Sequence, residues 1–276
     1  MSNSRKQKKR NVYILLALVL VLTGISLAAP YLIPNDPYET NALFAKAAPS
    51  AQFPFGTDKL GRCVFSRVLM GAKTSIFSAL ILVVITMVVG TALGTIAGYY
   101  GGIVDGVIMR IADIFLSFPQ MVFAIAVAGV MGGTMINAMI ALGLTGWTLF
   151  ARLARGRVMA LKEEEFVQAA KLTGNNSARI MRVYLLPNYI GEMVVNASIQ
   201  IGTTMLGFAG LSFLGLGVQV PQAEWGSMIS EARGYLQLAP WAVIAPGIAL
   251  FITVSVFNLL GDALSEYFEV GGNVHE

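Results

Sequence analysis

Hydrophobic positions along this chain fall into long unbroken runs rather than the short alternations of half-buried strands. A helix needs about 20 mainly apolar residues to cross a bilayer. By that rule the runs predict six spans, roughly 12–33, 74–98, 108–131, 134–151, 188–217 and 240–261, and hence an all-α, polytopic membrane protein. Between the fourth and fifth runs the pattern changes. From about Val158 to Thr173 the residues are good helix formers, with Phe166, Ala169, Ala170 and Thr173 at i, i+3, i+4 and i+7 on one face, and Lys162, Glu163 and Glu164 outside it. This spacing predicts a short amphipathic helix outside the bilayer. Gly174 supplies a left-handed stop, and Asn175, Asn176 and Ser177 supply a new N-cap. A second helix follows, with Ile180, Val183 and Tyr184 on one face and Arg179 and Arg182 on another, ending near Pro187. The expectation is a rigid hairpin between two spans.

Composition agrees with the runs: 56% of the 276 residues are hydrophobic and only 12% are charged, far from the balance of a soluble domain. The net charge of +4 brings no aromatic-basic surface for nucleic acid. Membrane topology accounts for it better. With the N-terminus in the cytoplasm, that side collects Arg5, Lys6, Lys8, Lys9, Arg10, Arg152, Arg155, Arg157, Lys162, Lys171, Arg179 and Arg182, with Arg110 at its edge. The other side holds Lys46, Lys59, Arg62, Arg67, Lys73 and Arg233. The asymmetry favours both termini inside. The first run follows a basic N-terminus like that of a signal peptide, but it is too long for an h-region and Pro30 follows Ala29 directly, so it reads as an uncleaved anchor.

Candidate chemistry is sparse. Cys63 is the single cysteine, which excludes an intramolecular disulfide, and the lone His275 excludes a His/Cys metal cage; any metal handled would be held transiently or by a partner. Gly71-Ala72-Lys73-Thr74 lacks the glycines of a phosphate loop, and Gly215-Leu216-Gly217 lacks the third glycine of a dinucleotide fingerprint. No enzyme and no chain-bound cofactor is expected. Gly90, Gly94 and Gly98 recur every four residues, stripping one helix face for close packing or for a permeation path. Asp113 and Glu192 lie in apolar segments, where carboxylates count as functional candidates, yet both fall near span ends, within reach of the interface or of Arg110 and Arg182. Asn137, Asn196, Gln200 and Asn258 are candidates for a polar path. The hairpin fits either a groove on a soluble partner or a bed of lipid headgroups. An ion-driven transporter or a non-transporting assembly protein remains open on these grounds.

The wording of the hairpin narrows the choice. Gln168-Ala169-Ala170, three residues, Gly174, nine residues, then Tyr184-Leu185-Leu186-Pro187 resembles the Glu-Ala-Ala loop of ABC importer permeases, with Gln168 in place of the glutamate and Tyr184 in place of an isoleucine. Residues 55–76, with Gly56, Thr57, Asp58, Gly61 and Arg62, resemble a segment of the peptide/nickel branch, except that Cys63 stands where that branch usually has Asp. Residues 211–235 and 239–264 resemble its last outer loop and span, so the likeness covers nearly all of 55–264. The resemblance implies a type I ABC importer permease fold. It divides the chain into an anchor region 1–54, a permease domain 55–264 whose coupling loop is 158–187, and a cytoplasmic tail 265–276. It further implies a second homologous permease, two cytoplasmic ATPase subunits that carry ATP and Mg, an extracytoplasmic solute-binding protein, and a peptide or nickel cargo. Carried onto this chain, the coupling residues are Glu165, Phe166, Gln168, Ala169, Ala170, Gly174, Arg179, Leu186 and Pro187. The segment 56–62 acquires no role.

Overall fold

Long apolar runs become long helices because a backbone in hydrocarbon must satisfy its own N–H and C=O groups. The structure, a computed structural model, describes residues 2–272, with side chains from Lys6 to Phe268. In chain order the helices are α1 Ser2–Leu32, α2 Val64–Tyr100, α3 Gly102–Leu116, α4 Gln120–Met131, α5 Met135–Leu161, α6 Glu165–Leu172, α7 Ser177–Arg179, α8 Leu186–Phe213, α9 Trp225–Ala232 and α10 Trp241–Gly272. A π-helical stretch, Ile180–Leu185, joins α7 to α8. Within the described residues, α1, α2, α5, α10 and the α7–α8 unit are each long and apolar enough to cross a membrane, and the bent pair α3–α4 passes the same test when its two halves are counted as one span. His275 lies outside the described residues.

Several boundaries differ from the hydropathy reading, each for a physical reason. α2 starts at Val64, ten residues before the apolar run suggests. Its first turn contains Arg67, which reads as polar but is 1% exposed beside two carboxylates. The third span is two helices bent by 83° at Ser117–Pro119, since Pro119 has no N–H to continue the ladder and holds Phe118 out of the helical region. α5 continues ten residues past the expected end, to Leu161. The helix expected from Val158 to Thr173 is therefore broken at Lys162–Glu164: Val158, fully buried, belongs to α5.

The tightest seam is that between α2 and α5. A Cβ on Gly90 would overlap the Trp147 carbonyl, one on Gly94 the Ala151 carbonyl, and one on Gly98 would come within 2.8 Å of the Arg155 carbonyl and 3.0 Å of Val158 Cβ. The two backbones touch through three successive turns. Without water expulsion to drive helix association in lipid, such close dispersion contact is the main attraction available. α1 lies on α10 and α2, and Lys8 Nζ approaches Glu266 by 3.7 Å, so the start of α1 lies beside the last turns of α10.

Gly94→Ala is expected to lower the melting temperature of the detergent-purified chain, at a cost of about 1–3 kcal/mol for a methyl that has no space. Gly106→Ala, where nothing lies within 4 Å of the added Cβ, should be neutral or slightly stabilising. Equal melting temperatures for the two variants in a thermal scan would contradict the seam.

Candidate functional site

The hairpin begins where α5 leaves the bundle. After Leu161 the chain turns through Lys162–Glu164, and Gln168 Nε2 donates to the Lys162 carbonyl at 3.0 Å, tying the first turn of α6 back to the end of α5. A glutamate at 168 has no proton to donate when ionised, so the departure from the family wording supplies a strut of its own. Glu165 opens α6, where its charge favours the helix N-terminus. At the far end Gly174 adopts φ +80. Asn175 Nδ2 donates to the Ala170 carbonyl at 2.9 Å, and Asn176 Oδ1 accepts from the Arg179 N–H at 2.8 Å, capping α7. The turn is closed by its own side chains.

The faces of α6 differ from the periodicity argument. Val167 and Ala170 are buried against the π-helical stretch together with Ile180 and Leu185, whereas Phe166, Ala169 and Thr173 are exposed. Ala170 therefore packs inward and Ala169 outward. The second helix also departs: Val183 is exposed, because the π register, with Leu186 N–H donating to the Met181 carbonyl, widens the turn and rotates the face. Pro187 follows in the first turn of α8, where a missing N–H is tolerated.

Three arginines on α5 anchor the root of this hairpin to the neighbouring helices. Arg155 Nη2 donates to Asp105 of α3 at 2.5 Å, Arg152 Nη2 reaches Asp113 at 2.5 Å, and Arg157 Nε bonds Glu192 of α8. Both intramembrane carboxylates thus pair with α5, not with Arg110 or Arg182. Residues 152, 155 and 157 point to neighbours on either side, and only the extension of α5 to Leu161 brings them level with Asp113 and Glu192. These pairs tie α5, at the root of the hairpin, to α3 and α8.

At the opposite end of α2 lies the 55–67 segment. Gly56 (φ +68) brings the chain so close to Trp241 that a Cβ would be 2.7 Å from the Ala47 carbonyl and 2.9 Å from Trp241 Cδ1. Trp241 Nε1 donates to the Thr57 carbonyl at 3.1 Å. The Thr57 hydroxyl donates to the Phe44 carbonyl and accepts from the Ala47 N–H. Gly61 (φ +77) closes a turn that lets Asp58 accept from the Leu60 N–H at 2.8 Å and from Arg62 Nε at 2.6 Å. Arg62 Nη2 then reaches Glu231 of α9 at 2.5 Å. Arg67, equally buried, lies 3.7 Å from Asp58 and 3.9 Å from Glu231, and donates to the Pro37 and Pro221 carbonyls. The motif residues are the fasteners of a charge cluster joining the loop after α1, the start of α2, and α9. Cys63 occupies the N-cap of α2 without a side-chain cap bond, a position where an aspartate would cap the helix.

α9, absent from the hydropathy reading, is set by Glu224, whose buried carboxylate accepts from the Gly226 and Ser227 N–H groups at 2.8 Å each. Trp225 Nε1 donates to the Val68 carbonyl at 2.9 Å. Nearby, burial pushes the Tyr235 phenol above its ordinary pKa. Of the amides proposed for a polar path, Asn137 caps the end of α4 through the Met131 and Gly132 carbonyls, and Asn196 bonds back to Glu192. Asn258 Oδ1 is buried between α10 and α8 beside Gly202. Gln200 lines a cleft between α2, α4, α5 and α8.

Membrane-depth segments around a broken span, with a braced hairpin projecting from one end, define the architecture of a membrane transport subunit. Residues 90–270 match the binding-protein-dependent transport system inner membrane component family, and the chain belongs to it. It is 41% identical to the dipeptide transport system permease protein DppC of Alkalihalophilus pseudofirmus, over 95% of this chain and 86% of that one. It is 38% identical to the nickel transport system permease protein NikC of Escherichia coli K12, over 94% of each chain. It is 43% identical to the glutathione transport system permease protein GsiD of Salmonella typhimurium, over 90% of this chain and 82% of that one. The fold is shared with the inward-facing MetNI methionine ABC transporter, with TM-score 0.55 at 20% identity over 71% of this chain and 93% of that one. The chain is thus an inner-membrane ABC importer permease of the type I fold.

Truncating one member of the buried charge cluster strands its partners, at about 3–5 kcal/mol. Glu231→Leu alone should therefore destabilise the purified chain and open the 33–63 loop to limited proteolysis. The double variant Glu231→Leu with Arg62→Met should recover part of that loss, because it removes a charge of each sign. A double variant as damaged as the sum of the single ones would show that the four groups do not act together.

Proposed function

We propose that this chain, paired with a second homologous permease, forms a path for a peptide or for nickel, and that α6 with the Gly174 turn docks on a cytoplasmic ATPase subunit. Both termini and the hairpin lie in the cytoplasm in this reading, and the 55–67 cluster with α9 faces the extracytoplasmic solute-binding protein. Two ATPase subunits carry ATP and Mg and supply the work. The observation that carries the reading is the hairpin itself: an outward face of Phe166, Ala169 and Thr173 on a braced two-helix unit, whose root is ion-paired to α3 and α8. A small residue in the middle of an exposed face admits a partner's groove. ATP-driven closure of the partner pair would push α6, shift α5 as a rigid rod and bias the bundle between inward-open and outward-open states. The named relatives handle dipeptide, nickel and glutathione, which leaves peptide and nickel as the cargoes to compare.

Ala169→Arg is expected to insert and to assemble with the second permease, but to lose ATPase stimulation by the loaded binding protein at least about tenfold, since a charged side chain blocks the groove. Ala170→Arg would disturb the hairpin's own interior and is the poorer probe. Gly174→Pro should uncouple as well, because proline cannot adopt φ +80. Measuring ATP hydrolysis in the reconstituted complex of both permeases, the two ATPase subunits and the binding protein, with a peptide pool and with Ni²⁺, tests both coupling and cargo. Wild-type stimulation with Ala169→Arg would remove the docking assignment.

A further inference from the structure

Halfway along the bundle α2, α4, α5 and α8 enclose a cleft of about 290 Å³. Its depth follows from helix arithmetic. Thr86 stands 14 residues before the Tyr100 end of α2, and Gln200 stands 14 residues after the Leu186 start of α8. At 1.5 Å per residue, each lies about 21 Å from the hairpin-side end of its helix. α3, from Gly102 to Leu116, covers the same distance, so the break at Ser117–Pro119 and the first residue of α4, Gln120, reach this level too. Against a hydrocarbon core about 30 Å thick, that is well inside the membrane.

Three features of the cleft disagree with a lipid-facing wall. Gln120 is exposed and Gln200 half-buried, and among the described residues neither side-chain amide has a hydrogen-bond partner within the chain. Thr203 is exposed beside them, with only a 3.5 Å contact to the Ile199 carbonyl. The break before α4 leaves that helix's first N–H groups without a side-chain cap at Pro119. Unpaired amides and irregular backbone at this depth are tolerated where they border water or protein, not acyl chains. The rest of the lining is apolar or hydroxyl-bearing, and no Asp, Glu, Lys or Arg contributes to it.

We propose that this cleft is the solute-contacting part of the translocation path, with Gln120, Gln200 and Thr203 as its specificity-determining residues. It accepts a net-neutral, hydrogen-bonding solute and disfavours a bare divalent cation, for which it offers no carboxylate. The inference rests on the importer reading above and adds to it the residues of this chain that meet the cargo. Glutamine amides and threonine hydroxyls each donate and accept. They match the C=O and N–H groups of a peptide while leaving an apolar wall over which its side chains slide.

The test uses the assembled complex in lipid nanodiscs, with the buried Cys63 changed to serine and one cysteine introduced at a time. Gln200→Cys and Thr203→Cys should react with a charged, water-soluble methanethiosulfonate about tenfold faster or more than Ile85→Cys, which lies at the same depth on an exposed apolar part of α2. Equal rates would overturn the hydrated cleft, whether lipid or the second permease covers it. In proteoliposomes, Gln200→Leu should reduce ATP-dependent uptake of radiolabelled dialanine about fivefold or more, with assembly checked by co-purification. Unchanged uptake would overturn the specificity role, and wild-type uptake of Ni²⁺ ions without dialanine would overturn the solute class. A failure of the importer reading is separately visible: the wild-type complex would then show no binding-protein-stimulated ATP hydrolysis, whatever the labelling contrast.

Discussion

Backbone contact between α2 and α5 is the constraint on which the remaining geometry depends. Glycines at 90, 94 and 98 let the carbonyls of Trp147, Ala151 and Arg155 lie where side chains would otherwise stand. That contact runs along α5, a helix of 27 residues that continues past the end of its apolar run to Leu161. The ten extra residues carry Arg152, Arg155 and Arg157. Without the seam at Gly98 and Val158 they would have no fixed level from which to meet Asp105, Asp113 and Glu192. The ion pairs bracing the hairpin are thus a consequence of packing. Their own net contribution to stability is small where they are half exposed, and their use is to fix direction.

The two ends of the bundle solve the problem of polar groups next to a membrane in different ways. On the hairpin side, carboxylate–guanidinium pairs lie between helices, partly open, and each links only two elements. On the far side, Asp58, Arg62, Arg67 and Glu231 form a buried cluster of two positive and two negative groups. There the cluster lies beside apolar contacts of Val64, Val68, Trp225 and Met228, and it fixes how the loop, the start of α2 and α9 meet. Low dielectric makes such a cluster demanding in geometry, since each charge loses its hydration and regains it only from its partners. Glycines at 56 and 61 are needed because the loop has to turn back within a few residues for Asp58 to reach Arg62.

Much of this was legible in the sequence, and the gaps have a common cause. Six membrane segments, the Gly174 stop and the capped restart at Asn176 follow from local chemistry, which needs no knowledge of neighbours. The start of α2 was not legible because Arg67 looks unsuited to a helix entering a membrane until Glu231, 164 residues later, is placed beside it. α9 was missed because eight residues give too short a period to stand out, and its order comes from the Glu224 cap and from Val68. Ala170 was grouped on one face with Phe166, Ala169 and Thr173, but it is buried while they are exposed, for a similar reason. Period alone defines a stripe, but which part of a stripe is covered depends on the π-helical stretch that packs against it. For the amides, counting polar residues in spans picked four positions, of which Asn137 and Asn196 are spent on helix carbonyls. Gln120, beside a proline at a predicted mid-span position, was a recoverable signal.

The broken span explains why those amides sit at one level. The bend at Pro119 sets the start of α4, with Gln120 and Met121, on the cleft wall opposite α8. Pro119 interrupts the span about 21 Å from the hairpin end, at the depth where Thr86 and Gln200 project from α2 and α8. The bend moves α4 aside by 83° and replaces a helix wall with an uncapped helix start. α3, below the bend, is ion-paired through Asp105 and Asp113 to the same stretch of α5 that leads into the hairpin. The hairpin joins that stretch through the Lys162–Glu164 turn, which Gln168 braces by donating to the Lys162 carbonyl, so the broken span and the hairpin share one anchor helix.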